Sequence, residues 1–376
     1  MVEPRIWTPK VGVGLWCVGG DGSDSWRHGI NEIVAVPERF DIIRESGCEG
    51  YSGHVGKDYE FVVDDKGSAI SMDKVVEAAG DLVLVDIVGS RFKEAKFRNG
   101  TFTNPVEEIR VESAKYLFQA GKAAQQYGVN KVRIWLGSDG KDGHMHQYTP
   151  EIMAQMAAPL LEFHELFPNV KIVIEAKSGE PKGSQVIGTT AQSTSLCQYL
   201  NEMVGCEKGV NGEFVNPAYE IGPEINHGLM LNENIEQVYG EAIFYGVLGD
   251  VHAGDGKQGI ARDFDDPMGK WTPKSCFETL MTLDRAYSEG AYNSEWLILD
   301  QNASKVPSKD QPEQLRQSIE FIRAALEVGR TASYMETVEM LRQDGEFSTL
   351  DRFVQKMVGE TMVKASDMHP VQLYMR

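Results

Sequence analysis

The feature that most constrains this chain is a recurring alternation of short apolar, β-rich runs with longer stretches of helical character. Eight runs can be read: Val11–Trp16, Gly47–His54, Leu82–Ser90, Lys131–Gly137, Lys171–Lys177, Tyr219–Asn226, Gly246–His252 and Trp296–Gln301. Between them, the segment from Pro37 carries apolar residues on one helical face and stops at Gly47, a C-terminal punctuator. Val106–Tyr127 sets Val111, Ala114, Leu117, Phe118 and Ala124 at helical spacing, with Gly121 on the same face. Thr149–Phe167 and Ser275–Glu289 also read as helices. Strands alternating with helices predict a parallel sheet with right-handed crossovers. Eight repeats of the unit, with no GxGxxG or P-loop after the first strand, favour an α/β fold of the (β/α)8 TIM-barrel type over an open nucleotide-binding sheet.

After Gln301 the strand signal stops. Ser308–Val328, Thr331–Gln343 and Leu350–Lys364 read as helices too polar to form a core of their own. The expected division is therefore a barrel over 1–305 and a C-terminal helical extension over 306–376, packed on the barrel or on a neighbouring subunit.

Charge and cysteine usage narrow the function. A net charge of −19 repels phosphate backbones and anionic lipid, so neither nucleic acid nor membrane is an expected partner. The 5 cysteines are widely spaced and form no CxxC pair, which fits a reducing compartment. With no apolar segment resembling a signal peptide or a membrane span, a cytoplasmic location is expected.

In a barrel of this type, functional side chains stand at the C-terminal ends of strands and in the loops that follow. Glu175 lies near the end of the fifth run, Glu224 and His227 at the end of the sixth, and Asp250 at the end of the seventh. Asp263 and Asp265 follow in the next loop, and Asp300 ends the eighth run, with Asp255 and Asp266 as further candidates. Taken singly, each is most often a solvated loop residue or a helix cap. Acid after acid at consecutive strand ends is a different matter, because carboxylates so packed repel one another unless cations sit between them. An oxygen-rich site with one imidazole suits Mg²⁺ or Mn²⁺. Lys177 shares a strand face with Glu175 and could polarise a substrate oxygen. His54 ends the second run and could shuttle a proton near neutral pH. Trp16 and Trp135 end the first and fourth runs and could wall a sugar pocket.

Longer segments carry a resemblance. GLWCVGGDGSDSW (Gly14–Trp26), FRNGTFTNPVEEIR (Phe97–Arg110), WLGSDG (Trp135–Gly140), IEAKSGEPKG (Ile174–Gly183), PEINH (Pro223–His227), GDVHAGD…DFD (Gly249–Asp265) and LILD (Leu297–Asp300) occur in this order. The ordered set resembles the D-xylose isomerase family, in particular its shorter type. The resemblance implies a metal-dependent aldose–ketose isomerase that moves a hydride between C1 and C2 of an open-chain sugar, with two divalent ions (Mg, Mn or Co) as cofactors. It assigns Glu175, Glu224, Asp250 and Asp300 to one metal, and Glu224, His227, Asp263 and Asp265 to the other. It gives Lys177 a hydrogen bond to the carbonyl oxygen and His54 the ring opening. Trp16, Phe92 and Trp135 become pocket walls, Trp26 reaches into a neighbouring subunit, and the assembly is a homotetramer or homodimer acting on a small sugar.

The sequence also departs from that family. Its paired threonines align with Val88 and Gly89, the acid behind the ring-opening histidine aligns with Lys57 (Asp58 is adjacent), and Ala176 and Ser178 replace prolines. The loop between Asp250 and Asp263 is about two residues longer by hand alignment. Lost hydroxyl contacts alter discrimination between sugars. The alternatives are a ketose 3-epimerase or an inosose-type dehydratase using one metal and a Glu pair. An abasic-site endonuclease would need a histidine-rich zinc site and a basic face, against 8 scattered histidines here. A non-enzymatic sugar-binding protein would leave the acids unexplained.

Overall fold

The computed structural model describes residues 5–20, 30–55, 60–62, 69–89, 94–142, 149–260 and 262–368. Eight strands run parallel: β1 (Lys10–Gly14), β2 (Gly50–Val55), β3 (Val83–Val88), β4 (Lys131–Trp135), β5 (Lys171–Glu175), β6 (Tyr219–Ile221), β7 (Val251–Ala253) and β8 (Trp296–Leu299). Each falls within or at the edge of an expected run. Their spatial order is β6-β5-β4-β3-β2-β1-β8-β7, so neighbours in sequence are neighbours in space and β1 meets β8. The remaining gap, between β6 and β7, is spanned by isolated parallel bridges, Ile221 to Leu248 and Glu224 to His252. The amides of Ile221 and Gly249 bond Val247 O and Ile221 O at 2.7 and 2.8 Å across it. The sheet thus curls round on itself. A short antiparallel pair, Glu60–Val62 with Ala69–Ser71, extends from β2 and had no counterpart in the sequence reading.

The helices are α1 (Val36–Ser46), α2 (Met72–Ala79), α3 (Glu107–Tyr127), α4 (Thr149–Leu166), α5 (Thr190–Met203), α6 (Ile225–Met230), α7 (Ile235–Phe244), α8 (Pro273–Ser288), α9 (Gln311–Thr331), α10 (Tyr334–Gln343) and α11 (Phe347–Met368). Local chemistry sets their ends. Gly47 adopts φ 86° and its N–H closes α1 onto the carbonyls of Arg44 and Ile43. Thr189 and Gln192 form a reciprocal capping box on α5. In α3 the expected face holds at Leu117, Gly121 and Ala124 but not at Val111. Tyr116, Leu117, Ala120, Gly121 and Ala124 are buried, while Val111 is 49% exposed. Gly121 is a packing position, since a Cβ there would meet the Phe163 and Phe167 rings.

The expected tail divides in two. α9, the helix after β8, packs between α1 and α8 and buries Leu315, Ile319, Ile322 and Ala325, so it completes the helical layer around the sheet. Only α10 and α11 lie beyond it. They rest on α8 and α9 of the same chain, with Tyr334 edge-on to Phe277 at 5.0 Å and stacked on Phe353 at 5.7 Å. Among the described residues no helix is long and apolar enough to cross a membrane.

The sheet's inner face is polar in a layered way. On β4, Lys131, Arg133 and Trp135 share the inner face by strand alternation, while Val132 and Ile134 are buried between them. Lys131 contacts Asp250 at the N-terminal floor, Arg133 joins Asp86 and Glu175 midway, and Trp135 stands at the C-terminal mouth.

Candidate metal centre

The same alternation brings the acids to the mouth. Glu175 is the last residue of β5, Glu224 caps the N-terminus of α6, His252 sits in β7 and Asp300 follows β8. One ligand atom from each of these four lies within 4.8 Å of the others. His252 Nδ1 is 3.0 Å from Glu175 Oε2 and 3.1 Å from Asp300 Oδ2. Yet neither His252 nitrogen nor Glu224 Oε1 has an aligned hydrogen-bond partner, although all are shut off from solvent. Ligand atoms converging in a space closed to solvent are what a cation needs. Ligands ~2.1 Å from one ion and at right angles would stand roughly 3 Å apart.

A second group shares Glu224. Ligand atoms of Glu224, His227 and Asp263 also lie within 4.8 Å of one another. His227 Nε2 is 3.0 Å from Glu224 Oε2 and 3.3 Å from Asp263 Oδ2. Its Nδ1 stands 3.0 Å from the Ala176 carbonyl, which fixes the ring and assigns the proton to Nδ1, leaving Nε2 as the ligand atom. Lys177 Nζ and Asn226 Nδ2 both donate to Asp263. Asp265 bonds Asp263 from a left-handed conformation (φ 44°) and lines the cavity outside both ligand groups.

Asp265 is thus an expected ligand that reaches the cavity but joins neither group, and a second expected ligand, Asp250, is not brought to the cavity at all. Asp250 precedes β7 and enters the interior at the opposite end, where Lys131 Nζ donates to it at 2.8 Å and Ser294 Oγ also donates. The sequence reading placed the strand's end at 252, whereas β7 spans Val251–Ala253. His252, two residues on and one layer higher, stands where Asp250 was expected. Asp255 and Asp266 also stay apart. Asp255 accepts from Gly256 N, Trp271 N, Thr272 N and Thr272 Oγ1 ahead of α8, and Asp266 pairs with Lys270 and Trp271 Nε1.

The two groups floor a cavity of ≈ 250 Å³ with Trp16, His54, Val88, Arg133, Trp135, Lys177 and Asn302 around them. Trp16 Nε1 donates to Asp300 Oδ1 at 3.0 Å, and its ring lies edge-on to His54 at 4.8 Å. Lys177 Nζ is 5.1 Å from the Trp135 ring centroid. Val88 faces the cavity, but a side chain at Gly89 would point into α3, at Ala120 and Leu117. Trp26, Phe92, Lys57 and Asp58 lie outside the described residues. His252, Asn302 and Arg133 were not anticipated. His252 ends the seventh run and so already stood at the expected mouth, while nothing in the sequence marks Asn302. A wider cleft of ≈ 750 Å³ between α4 and α5 is lined by no carboxylate or imidazole among the described residues.

The electrostatics match the geometry. Burial, and then the charges of Asp263 and Asp300, push Glu224 up to about 8 against the pull of His227. Burial and Arg133 oppose a charge on His252, but Glu175 and Asp300 outweigh them and raise it to about 9. Burial also opposes the Glu175 charge, yet His252, His227 and Arg133 hold that carboxyl below its usual range. Burial works against the Lys177 ammonium as well, and Asp263, Asp265 and Glu224 reverse the effect and raise it. This is a strongly negative site that draws in whatever positive charge is within reach.

No family model matches the chain, and no curated protein sequence does. Solved structures do. An L-ribulose 3-epimerase superposes with a TM-score of 0.60 at 13% identity, over 87% of this chain and 98% of that one. A D-psicose 3-epimerase crystallised in the presence of D-fructose gives 0.56 at 10%, over 84% and 99%. A 3-keto-D-glucoside 4-epimerase from E. coli gives 0.54 at 13%, over 84% and 99%. At these identities the likeness is one of fold.

Proposed function

We propose that this chain is a (β/α)8-barrel enzyme that isomerises or epimerises a sugar with the help of divalent metal. The observation that carries the proposal is the convergence of Glu175, Glu224, His252 and Asp300 on one point of the cavity floor. A divalent ion held there would polarise a substrate oxygen and stabilise negative charge developing on it. The chain's own groups do the rest. Lys177 donates a hydrogen bond to a substrate oxygen, His54 moves a proton at the rim when a cyclic sugar opens, and Trp16 and Trp135 keep water from the reacting carbons.

Two readings fit this frame. The similar structures favour a ketose 3-epimerase. In that reading one carboxylate of the pair Glu175 and Glu224 takes the proton from a carbon next to the carbonyl, and the other, protonated, returns one to the opposite face. The group of Glu224, His227 and Asp263, with Lys177 beside it, favours aldose–ketose isomerisation over two ions, in which hydrogen passes directly between C1 and C2. Charge counting points the same way. Six carboxylates (Asp86, Glu175, Glu224, Asp263, Asp265, Asp300) face two permanent cations (Arg133, Lys177), a formal −4 that two divalent ions would cancel.

Incubating ketoses and aldoses with the protein and Mn²⁺ in D₂O separates these readings. Deuterium entering at C3 of a recovered ketose supports epimerisation. An aldose formed without deuterium supports the hydride shift. Absence of turnover on any sugar by protein that retains Mn²⁺ would contradict both.

A further inference from the structure

We propose that Arg133 is a positioning residue of the metal centre, acting through Glu175 to set the first ligand group's affinity for a divalent ion; this rests on the metal reading above. Arg133 is the third residue of β4 and is 1% exposed. Its guanidinium reaches four acceptors from four parts of the sheet. Nε donates to Asp86 Oδ2 of β3 at 3.0 Å, Nη1 to Gly222 O at 2.9 Å and Nη2 to Asp250 O at 3.0 Å. The fourth acceptor is Glu175 Oε2, 3.4 Å from Nη1. That is the oxygen that faces His252 Nδ1 at 3.0 Å.

The first three bonds clamp the guanidinium plane, so the fourth contact presents a fixed cation beneath Glu175. The carboxylate cannot rotate away from His252 without leaving Arg133. A lysine keeps the charge but is a point donor and cannot serve the same fork. The backbone makes room for the arrangement, since a Cβ on Gly222 would overlap Nη1 and Val173 Cγ1. The floor's charge pairs need none of this. Lys131 and Lys171 already match Asp250 and Glu220 there.

The test is calorimetric titration of Mn²⁺ into the full chain carrying His227→Asn, which disables the second group. In this background Arg133→Lys is expected to weaken binding about tenfold or more. Gly222→Ala, which displaces the guanidinium without changing charge, is expected to do the same. With Glu175→Gln already present, Arg133→Lys is expected to add little, the non-additivity of residues acting through one another. A general loss of packing would not produce that pattern. Where Arg133→Lys does not fold, Gly222→Ala and the paired Arg133→Met/Asp86→Leu variant carry the test. Folded variants that bind as tightly as their parent, or losses that add fully to that of Glu175→Gln, would overturn the proposal alone. No Mn²⁺ binding by the unsubstituted chain would overturn the metal reading and this proposal with it.

Discussion

The two ends of the sheet's interior are both charged, but they are charged differently. At the floor, Lys131 and Lys171 stand against Asp250 and Glu220, with Nζ to oxygen distances of 2.8 and 2.6 Å. Ser294 Oγ adds a further donor to Asp250. Lysine and carboxylate are present in equal number, and none of these residues lines the cavity. At the mouth, Glu175, Glu224, Asp263, Asp265 and Asp300 crowd around Lys177, three imidazoles (His54, His227 and His252) and an open cavity. Buried charge that is matched by its neighbours holds a fold together. Buried charge left unmatched around a cavity costs stability and is kept for what it binds.

The sharpest way to break this comparison is to remove one acid from each end. Glu224→Gln removes the ligand shared by both groups, and turnover is expected to fall by more than about a hundredfold with loss of bound metal. Glu220→Gln at the floor is expected to leave kcat nearly unchanged and to lower thermal stability. Equal losses of activity from both would erase the distinction. The next largest effect is on stability. Asp250→Asn leaves Lys131 without its closest partner, and a loss of about 3 kcal/mol in denaturant unfolding is expected, with metal content intact.

Chelation gives a smaller signal from the other end. EDTA is expected to lower the melting temperature, by an amount equivalent to about 2.7 kcal/mol if the free ion stood at 100 times its Kd. No shift at all would speak against a resident ion.

The smallest effect concerns a third cluster, where Glu236 and Glu278 meet away from the cavity and Lys274 Nζ stands 3.9 Å from Glu278 Oε1. Burial, and then the hydrogen bond and charge of Glu236, push Glu278 on α8 up to about 8. The folded chain therefore holds this proton more tightly than the unfolded one. Its stabilising contribution is full below the ordinary glutamate range and is lost as pH rises towards 8. Glu278→Gln is expected to flatten that slope and to stabilise the protein at pH 9 by about 1 kcal/mol after solvent screening, without touching metal content. An unchanged melting profile from pH 5 to pH 9 would contradict it.

Much of this was legible in the sequence, and the reason is periodicity. The alternation of eight strands and their helices survives in the pattern because each strand's outer face is apolar over several residues. Glu175, Glu224, His227, Asp263 and Asp300 could be placed at the mouth because strand ends, not strand interiors, carry them. Asp250 could not be told from His252. Both point inward, Asp250 just before β7 and His252 within it, and a shift of two residues separates one end of the interior from the other. α9 was assigned to the tail because its polar outer face hides Leu315, Ile319 and Ile322, which complete the layer against α1 and α8. Arg133 was invisible for another reason. An arginine inside a strand reads as solvent-facing until Asp86 and Glu175 are seen beside it.

His252, and not Asp250, is placed to complete the first ligand group. The most direct test is a calorimetric titration of Mn²⁺ into the unsubstituted chain, His252→Ala and Asp250→Asn. Binding is expected to the first and third, with a loss of the first group's affinity in His252→Ala. Undiminished binding by His252→Ala, together with loss in Asp250→Asn, would contradict it.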